Sequence, residues 1–329
     1  MTAPNWLGKF DPARKQYLER AMSVSSVGSV LLQTNIRRVV EMLTLRELGA
    51  QAVLPRRPGS GDAEYVNRRA AGTTGAEWVA DTDSATEETG TYTQVSFGFK
   101  TLLTRAQVTR KAVAQGRSYG DLLGTELVGK AEDFAAALDS ATFIGDTASN
   151  ANQIDGLLTL IGNVSSQTIA NTTAAGGDDL ALAKLDEAID VVKGSGNRSD
   201  LVIFGTHAGM RKLNSALQAQ QQFIGDAEIG AGFRVRTYDT IPMVTCTELP
   251  DALVWNGTDT RVTAFSGGTT TALVVVNTRY CYYSELTPLT VMPLARSTSQ
   301  NEQIDMFADL ALVFGNTLGG SILGGISTS

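Results

Sequence analysis

The chain has 329 residues, 43% hydrophobic, 19% charged and 7% aromatic, with a formal net charge of −7. That length holds one large or two ordinary domains, and the acidic balance excludes whole-surface electrostatic binding of nucleic acid, though not a local basic patch. No apolar run approaches the roughly 20 residues that cross a bilayer, and Lys9, Arg14, Lys15 and Arg20 sit among polar neighbours where a signal peptide would be apolar, so a soluble protein made inside the cell is expected.

The first segment, residues 1–51, contains two helical candidates. One starts with Asp11 as N-cap and Pro12 at the first helical position. The other runs from about Asn35 to Glu47 with Ile36, Val39, Val40, Leu43 and Leu45 as its stripe, and stops near Gly49. This segment has too little apolar surface for a core of its own, so it must lie on something else. Residues 52–94 pose the same problem. Pro55 to Asp62 is turn chemistry, Arg56, Arg57, Arg68 and Arg69 are basic, and Asp81, Asp83, Glu87 and Glu88 are acidic. Tyr65, Val66, Trp78 and Val79 are the main large apolar residues. The segment reads as a long polar hairpin whose charged clusters dock against charged neighbours.

A strand follows, with Val95, Phe97 and Phe99 on one face and Tyr92, Gln94 and Ser96 on the other. Next comes a long helix from about Ser118 to Ile144. Ser118 and Asp121 supply a start signal, and Gly145 a stop. Leu123, Leu127, Ala131, Phe134, Leu138 and Ala141 share one face, and Glu126 and Lys130 form an i,i+4 pair. Gly120, Gly124 and Gly129 mark either a frayed first turn or the close approach of another backbone.

Beyond Gly162 a Ser/Thr/Asn/Gly-rich loop leads into an αβ region. Helices are expected over residues 178–193, with Asp178 and Asp179 as an N-terminal charge pair, and over residues 207–222. Leu201 to Phe204 reads as a fully buried strand. Further strands are expected over 233–244, near Leu253, over 273–277, within 279–292, and ending in Leu312-Val313-Phe314 before a glycine-rich end. Gly225, Gly230 and Gly232 suggest a mobile surface loop.

No set of residues carries chemistry. The single histidine, His207, follows a strand at a helix start but has no nucleophile or orienting partner at a recognisable spacing. Cys246 and Cys281 fit no metal spacing and read as buried thiols. Nucleotide-binding and serine-hydrolase motifs are absent from the sequence. No catalytic, cofactor-binding or metal-binding residue is therefore expected. The rival is an α/β enzyme using His207.

The order of elements resembles the major capsid proteins of tailed bacteriophages, with the Hong Kong 97 phage-type fold. The resemblance is carried by Glu77-Trp78-Val79-Ala80 with the acidic turn after it, by Val95 to Lys100, and by Ser118 through Phe143-Ile144-Gly145-Asp146. Asp155-Gly156-Leu157-Leu158 and Val235 to Met243 extend it along the chain.

This resemblance implies an α+β fold in five parts: an N-terminal arm over 1–51, an extended β-hairpin loop over 52–94, and a peripheral domain with a long spine helix over 95–154. An axial domain over 155–295 and a return strand to the peripheral domain over 296–329 complete it. It also implies hexamers and pentamers closing into an icosahedral shell around double-stranded DNA contacted non-specifically. The implied setting is the virion capsid, assembled in the host cytoplasm, without membrane or cofactor. A portal is implied, with separate scaffold and decoration proteins as further possible partners. Arg56, Arg57, Arg68, Arg69, Trp78, Asp81, Asp83, Glu87 and Glu88 become candidate inter-subunit contacts. Some relatives crosslink through a lysine on the loop, but this chain has none between Lys15 and Lys100, so non-covalent contacts are expected. With only about 50 residues before the loop, a built-in scaffolding segment is not expected. An encapsulin-like nanocompartment is the alternative with the same fold.

Overall fold

The computed structural model describes residues 49–69, 78–84, 90–116, 121–174, 176–192, 194, 197–219, 225–228, 234–255, 262–264, 266–294 and 300–328. The helices expected at Asp11 and over 35–47 lie outside them, as do Glu87, Glu88, Ser118, Gly120, Gly230 and Gly232.

The described chain opens with a single helical turn, α1 (Gly49–Val53), then β1 (Arg56–Pro58), β2 (Ala63–Arg69), β3 (Tyr92–Gly98) and β4 (Lys100–Thr109). Helix α2 (Arg110–Gly116) leads to the long α3 (Leu122–Ile144), and α4 (Leu157–Gly162) follows. Next come β5 (Thr168–Ala170), α5 (Leu182–Val191), β6 (Leu201–Gly205) and α6 (His207–Ala219). Strands β7 (Gly225–Glu228), β8 (Arg234–Tyr238), β9 (Ile241–Thr245), β10 (Val254–Trp255) and β11 (Val262–Ala264) are short. The chain ends on β12 (Thr270–Asn277), β13 (Cys281–Pro293), β14 (Asn301–Phe314) and β15 (Gly320–Ser327).

Two sheets organise the molecule. A seven-stranded sheet has the order β5-β15-β12-β6-β9-β8-β7, and a four-stranded sheet the order β1-β13-β14-β4. Strand β12, with Leu273-Val274-Val275-Val276 at its centre, is buried along its whole length, as is β6. A continuous apolar run of this kind suits a strand covered on both faces. Ala272, Val274 and Val276 point into one core, Leu273 and Val275 into the other. The second core is closed by Leu182, Leu185 and Ile189 of α5 and Leu213 and Leu217 of α6. The first runs through Phe134, Leu138 and Phe143 of α3 to Leu310, Leu312 and Phe314 of β14, so it joins the two sheets. Phe143 meets Phe204 edge to face, with centroids 5.7 Å apart, a favoured aromatic geometry.

Helix α3 has 23 residues, about 35 Å at 1.5 Å per residue. Asp121 is its cap, with Oδ1 accepting from the Leu123 amide at 3.1 Å. Only its C-terminal half is buried, from Phe134 to Phe143. Leu123 and Leu127 are half-buried and Ala131 is exposed, so the expected stripe loses one member. Lys130 pairs with Asp133 at 3.2 Å instead of with Glu126, because i,i+3 neighbours also share a helix face. Gly124 and Gly129 meet no other backbone within the described residues, which leaves no close approach to explain them. Gly145 ends the helix without a left-handed backbone (φ −56°). A side chain there would strike the Ile154 carbonyl, and the Gly156 amide donates to the Gly145 carbonyl at 2.8 Å.

Four other expectations are corrected. The chain is helical from Gly49, whose bare Cα packs against Cys246 and Val244, and the turn stops at Leu54-Pro55. Helix α5 starts at Leu182, and Asp178 is not at its N-terminus: its carbonyl accepts from Ser327 at the edge of the β5–β15 pair, while Lys212 binds Asp179 at 2.7 Å. Gly225 begins strand β7, paired with β8 through Thr237. The glycine-rich end is the buried strand β15, where Gly324 and Gly325 (φ +77°) leave room for the Trp255 ring, whose Nε1 donates to the Thr172 carbonyl at 3.0 Å. Cys246 and Cys281 are buried thiols, not joined in a disulfide.

The strands also cut across the expected segment boundaries. β13 belongs to the four-stranded sheet and β15 to the seven-stranded one.

Candidate functional site

Among the described residues no three His, Cys, Asp or Glu side chains form a metal-holding group. No described helix is long and apolar enough to cross a membrane. His207 is exposed at the start of α6.

The distinctive feature is the β2–β3 hairpin. Its seven pairs run from Ala63↔Gly98 to Arg69↔Tyr92. Val66, Val95 and Phe97 are half-buried on the face toward the body, whereas Tyr65, Asn67, Arg69, Tyr92, Gln94 and Ser96 are exposed. This is the alternation of a sheet with one solvated face. Glu64 and Arg68 hold the hairpin to the body through polar contacts. Ser284 Oγ donates to Glu64 Oε2 at 3.2 Å. Arg68 donates from Nε to the Gly315 carbonyl at 2.7 Å and from Nη2 to the Phe314 carbonyl at 2.6 Å. Partial burial lowers the pKa of Arg68 from its ordinary value.

The structure separates the candidate contact residues into two groups. Arg56, Arg57 and Arg68 have partners within their own subunit. Arg56 Nη1 meets Glu285 Oε1 at 2.6 Å, and Arg57 lies 4.0 Å from the centroid of the Tyr282 ring. Arg69, Trp78, Asp81 and Asp83 are exposed. Trp78 is fully so, at 106%. The Asp83 amide donates to the Ala80 carbonyl at 3.0 Å, closing a turn that presents both carboxylates.

Sequence reasoning missed the surface opposite. A cleft of about 820 Å³ opens between the Arg69 end of the hairpin and residues 315–318, lined by Arg68, Arg69, Arg279, Tyr280, Tyr282 and Leu318 among others. The run Arg279-Tyr280-Cys281-Tyr282-Tyr283, basic and aromatic at once, was the available signal.

At the root of the hairpin, α1 covers Asp139 of α3. Asp139 is wholly buried, and neither carboxylate oxygen makes a well-formed hydrogen bond, although the Gln51 and Ala50 amides of α1 lie near it. Burial pushes its pKa up to about 6; the Glu248 charge adds to the rise and the backbone amides of Gln51 and Ala50 oppose it. Nearby, Thr142 Oγ1 donates to the Leu138 carbonyl at 2.8 Å and lies 2.6 Å from the Tyr283 hydroxyl. Tyr283 therefore acts as donor to Thr142.

Comparison with known proteins places this geometry. The fold is similar to the holo-SrpI encapsulin complex from Synechococcus elongatus PCC 7942 (TM-score 0.66, 11% identity, 93% of this chain and 97% of that one). It is also similar to the capsid of a native GTA particle (TM-score 0.64, 14% identity, 93% and 99%) and to the capsid of Myoviridae phage XM1 (TM-score 0.60, 16% identity, 91% and 98%). No curated protein sequence matches the chain. A family model described as SU10 major capsid protein matches residues 24–327. The chain belongs to the SU10 major capsid protein family, and its role is the structural one of a capsid subunit.

Proposed function

We propose that this subunit assembles with copies of itself into the hexamers and pentamers of an icosahedral phage shell enclosing double-stranded DNA. The observation that carries the reading, beside family membership, is the hairpin end: a fully exposed indole and two carboxylates held on an element that buries little within its own subunit. Exposed aromatic anchors of this kind mark association surfaces. Residues 1–51 act as an arm and 52–94 as the extended loop. The peripheral domain is built on the four-stranded sheet with α3 as its spine, and the axial domain on the seven-stranded sheet. Arg69, Trp78, Asp81 and Asp83 take part in inter-subunit contacts, with Glu87 and Glu88 alongside them.

Without lysine between Lys15 and Lys100, the loop contributes through non-covalent contacts. A net charge of −7 keeps the inner surface from adhering to the packed DNA. A portal, a separate scaffold and decoration proteins are further partners, and assembly takes place in the host cytoplasm. A nanocompartment shell of the same fold is the rival; terminase and portal genes beside this one favour the phage, a cargo enzyme the compartment. Negative-stain microscopy of the purified full chain tests the reading. Closed shells are expected, unaffected by His207→Ala; protein that stays monomeric at every concentration and ionic strength contradicts it.

A further inference from the structure

We infer that the cleft between the hairpin and residues 315–318 is the socket for the 78–83 turn of a neighbouring copy, with Arg69 and Arg279 receiving Asp81 and Asp83 and Trp78 lying against Tyr280 and Leu318. The inference rests on the shell reading above and deepens it by naming which surface covers the hairpin turn.

Three observations carry it. The first is charge. Arg69 and Arg279 are exposed at the cleft and make no ion pair among the described residues, whereas Arg68 beside them is bonded to the Phe314 and Gly315 carbonyls. Asp81 and Asp83 are likewise exposed without an ion pair. Cations and carboxylates of one chain, each without an ion pair among the described residues, are complementary between copies.

The second is apolar surface. Trp78 is 106% exposed and Val79 47%, so the indole is left uncovered and Val79 about half so. The cleft offers Val66, Tyr280, Tyr282 and Leu318 beside its arginines. An indole fits such a lining twice over, by burying area and by stacking on a guanidinium.

The third is reach. Asp81 lies twelve positions beyond Arg69, enough extended chain to span up to about 40 Å. The turn can therefore cross to an adjacent subunit. Because donor turn and acceptor cleft are different surfaces of one chain, the contact is head-to-tail. Repeated, it closes into a ring when the rotation permits.

Mixing two singly substituted full-length proteins tests the geometry. Asp81→Cys and Arg279→Cys chains are assembled together and treated with a short bis-maleimide linker. Cys246 and Cys281 are buried and give little background. A covalent dimer that forms only in the mixture supports the inference. A chain carrying both Asp81→Cys and Arg279→Cys that crosslinks only within itself, with no dimer in the mixture, overturns it, because the turn then occupies its own cleft. Normal shells with no crosslink also overturn it while leaving the shell reading intact. Failure of the unsubstituted protein to assemble removes the shell reading itself.

Charge exchange gives a second readout. Arg69→Glu with Arg279→Glu should raise the protein concentration needed for assembly roughly 3- to 10-fold, as expected for two exposed ion pairs. Asp81→Arg with Asp83→Arg should do the same, and the fourfold variant should recover. If the glutamate variant assembles normally but its shells lose bound nucleic acid, the cleft is a phosphate-binding surface and the inference is wrong.

Discussion

Strand β12 and the β2–β3 hairpin are both extended chain, yet they answer to different demands. β12 carries five consecutive apolar residues, Ala272 to Val276, and is buried throughout, with neighbours on both edges and cores on both faces. The hairpin alternates, buries one face partly, and leads to a turn whose tryptophan touches almost nothing of its own subunit. The difference separates two jobs: the seven-stranded sheet holds the subunit together, and the hairpin is built to be completed from outside.

The largest effects should appear where that separation is sharpest. Phe204→Ala empties a fully buried site against Phe143 and should cost about 3–5 kcal/mol in urea unfolding. Trp78→Ala should change the same unfolding curve by less than about 0.5 kcal/mol while impairing assembly. Equal unfolding penalties for the two variants would erase the distinction.

Asp139 sharpens it at the root of the arm. With its folded pKa raised from 3.8 to about 6, the folded state binds more protons than the unfolded one between those values. Stability should therefore fall as pH rises through that window and level off above it, a loss on the order of 3 kcal/mol. Asp139→Asn should flatten this slope between pH 4 and 6.5 in denaturant titrations. An unchanged slope would show that another group carries it.

A smaller effect is expected at Arg68. Its two carbonyl contacts at 2.6 and 2.7 Å fasten the hairpin to the body. Arg68→Ala should weaken that docking by about 1–2 kcal/mol, read as faster amide exchange confined to β2 and β3. Protection lost equally in β12 would mean that hairpin and sheet are one cooperative unit.

What was legible in the sequence follows the same division. Leu201 to Phe204 and Leu273 to Val276 announce buried strands because continuous apolar runs have few other uses. The C-terminal half of α3 shows itself through Phe134, Leu138 and Ala141. The glycine-rich end was opaque because Gly324 and Gly325 exist to admit Trp255, about seventy residues earlier in the chain. The arginines' partners within the subunit were hidden for a related reason. Charge is visible in a sequence but partners are not, and Arg56 finds Glu285 229 positions away. The residues left exposed, Arg69, Trp78, Asp81 and Asp83, have no such distant partner among the described residues.

The central claim is that folding and assembly reside in different parts of this chain. Removing residues 59–88 from the full-length protein and following both thermal unfolding and shell formation by electron microscopy tests it most directly. The account predicts a cooperatively unfolding subunit that builds no stable shells. Shells of normal size and stability from the shortened chain would contradict it.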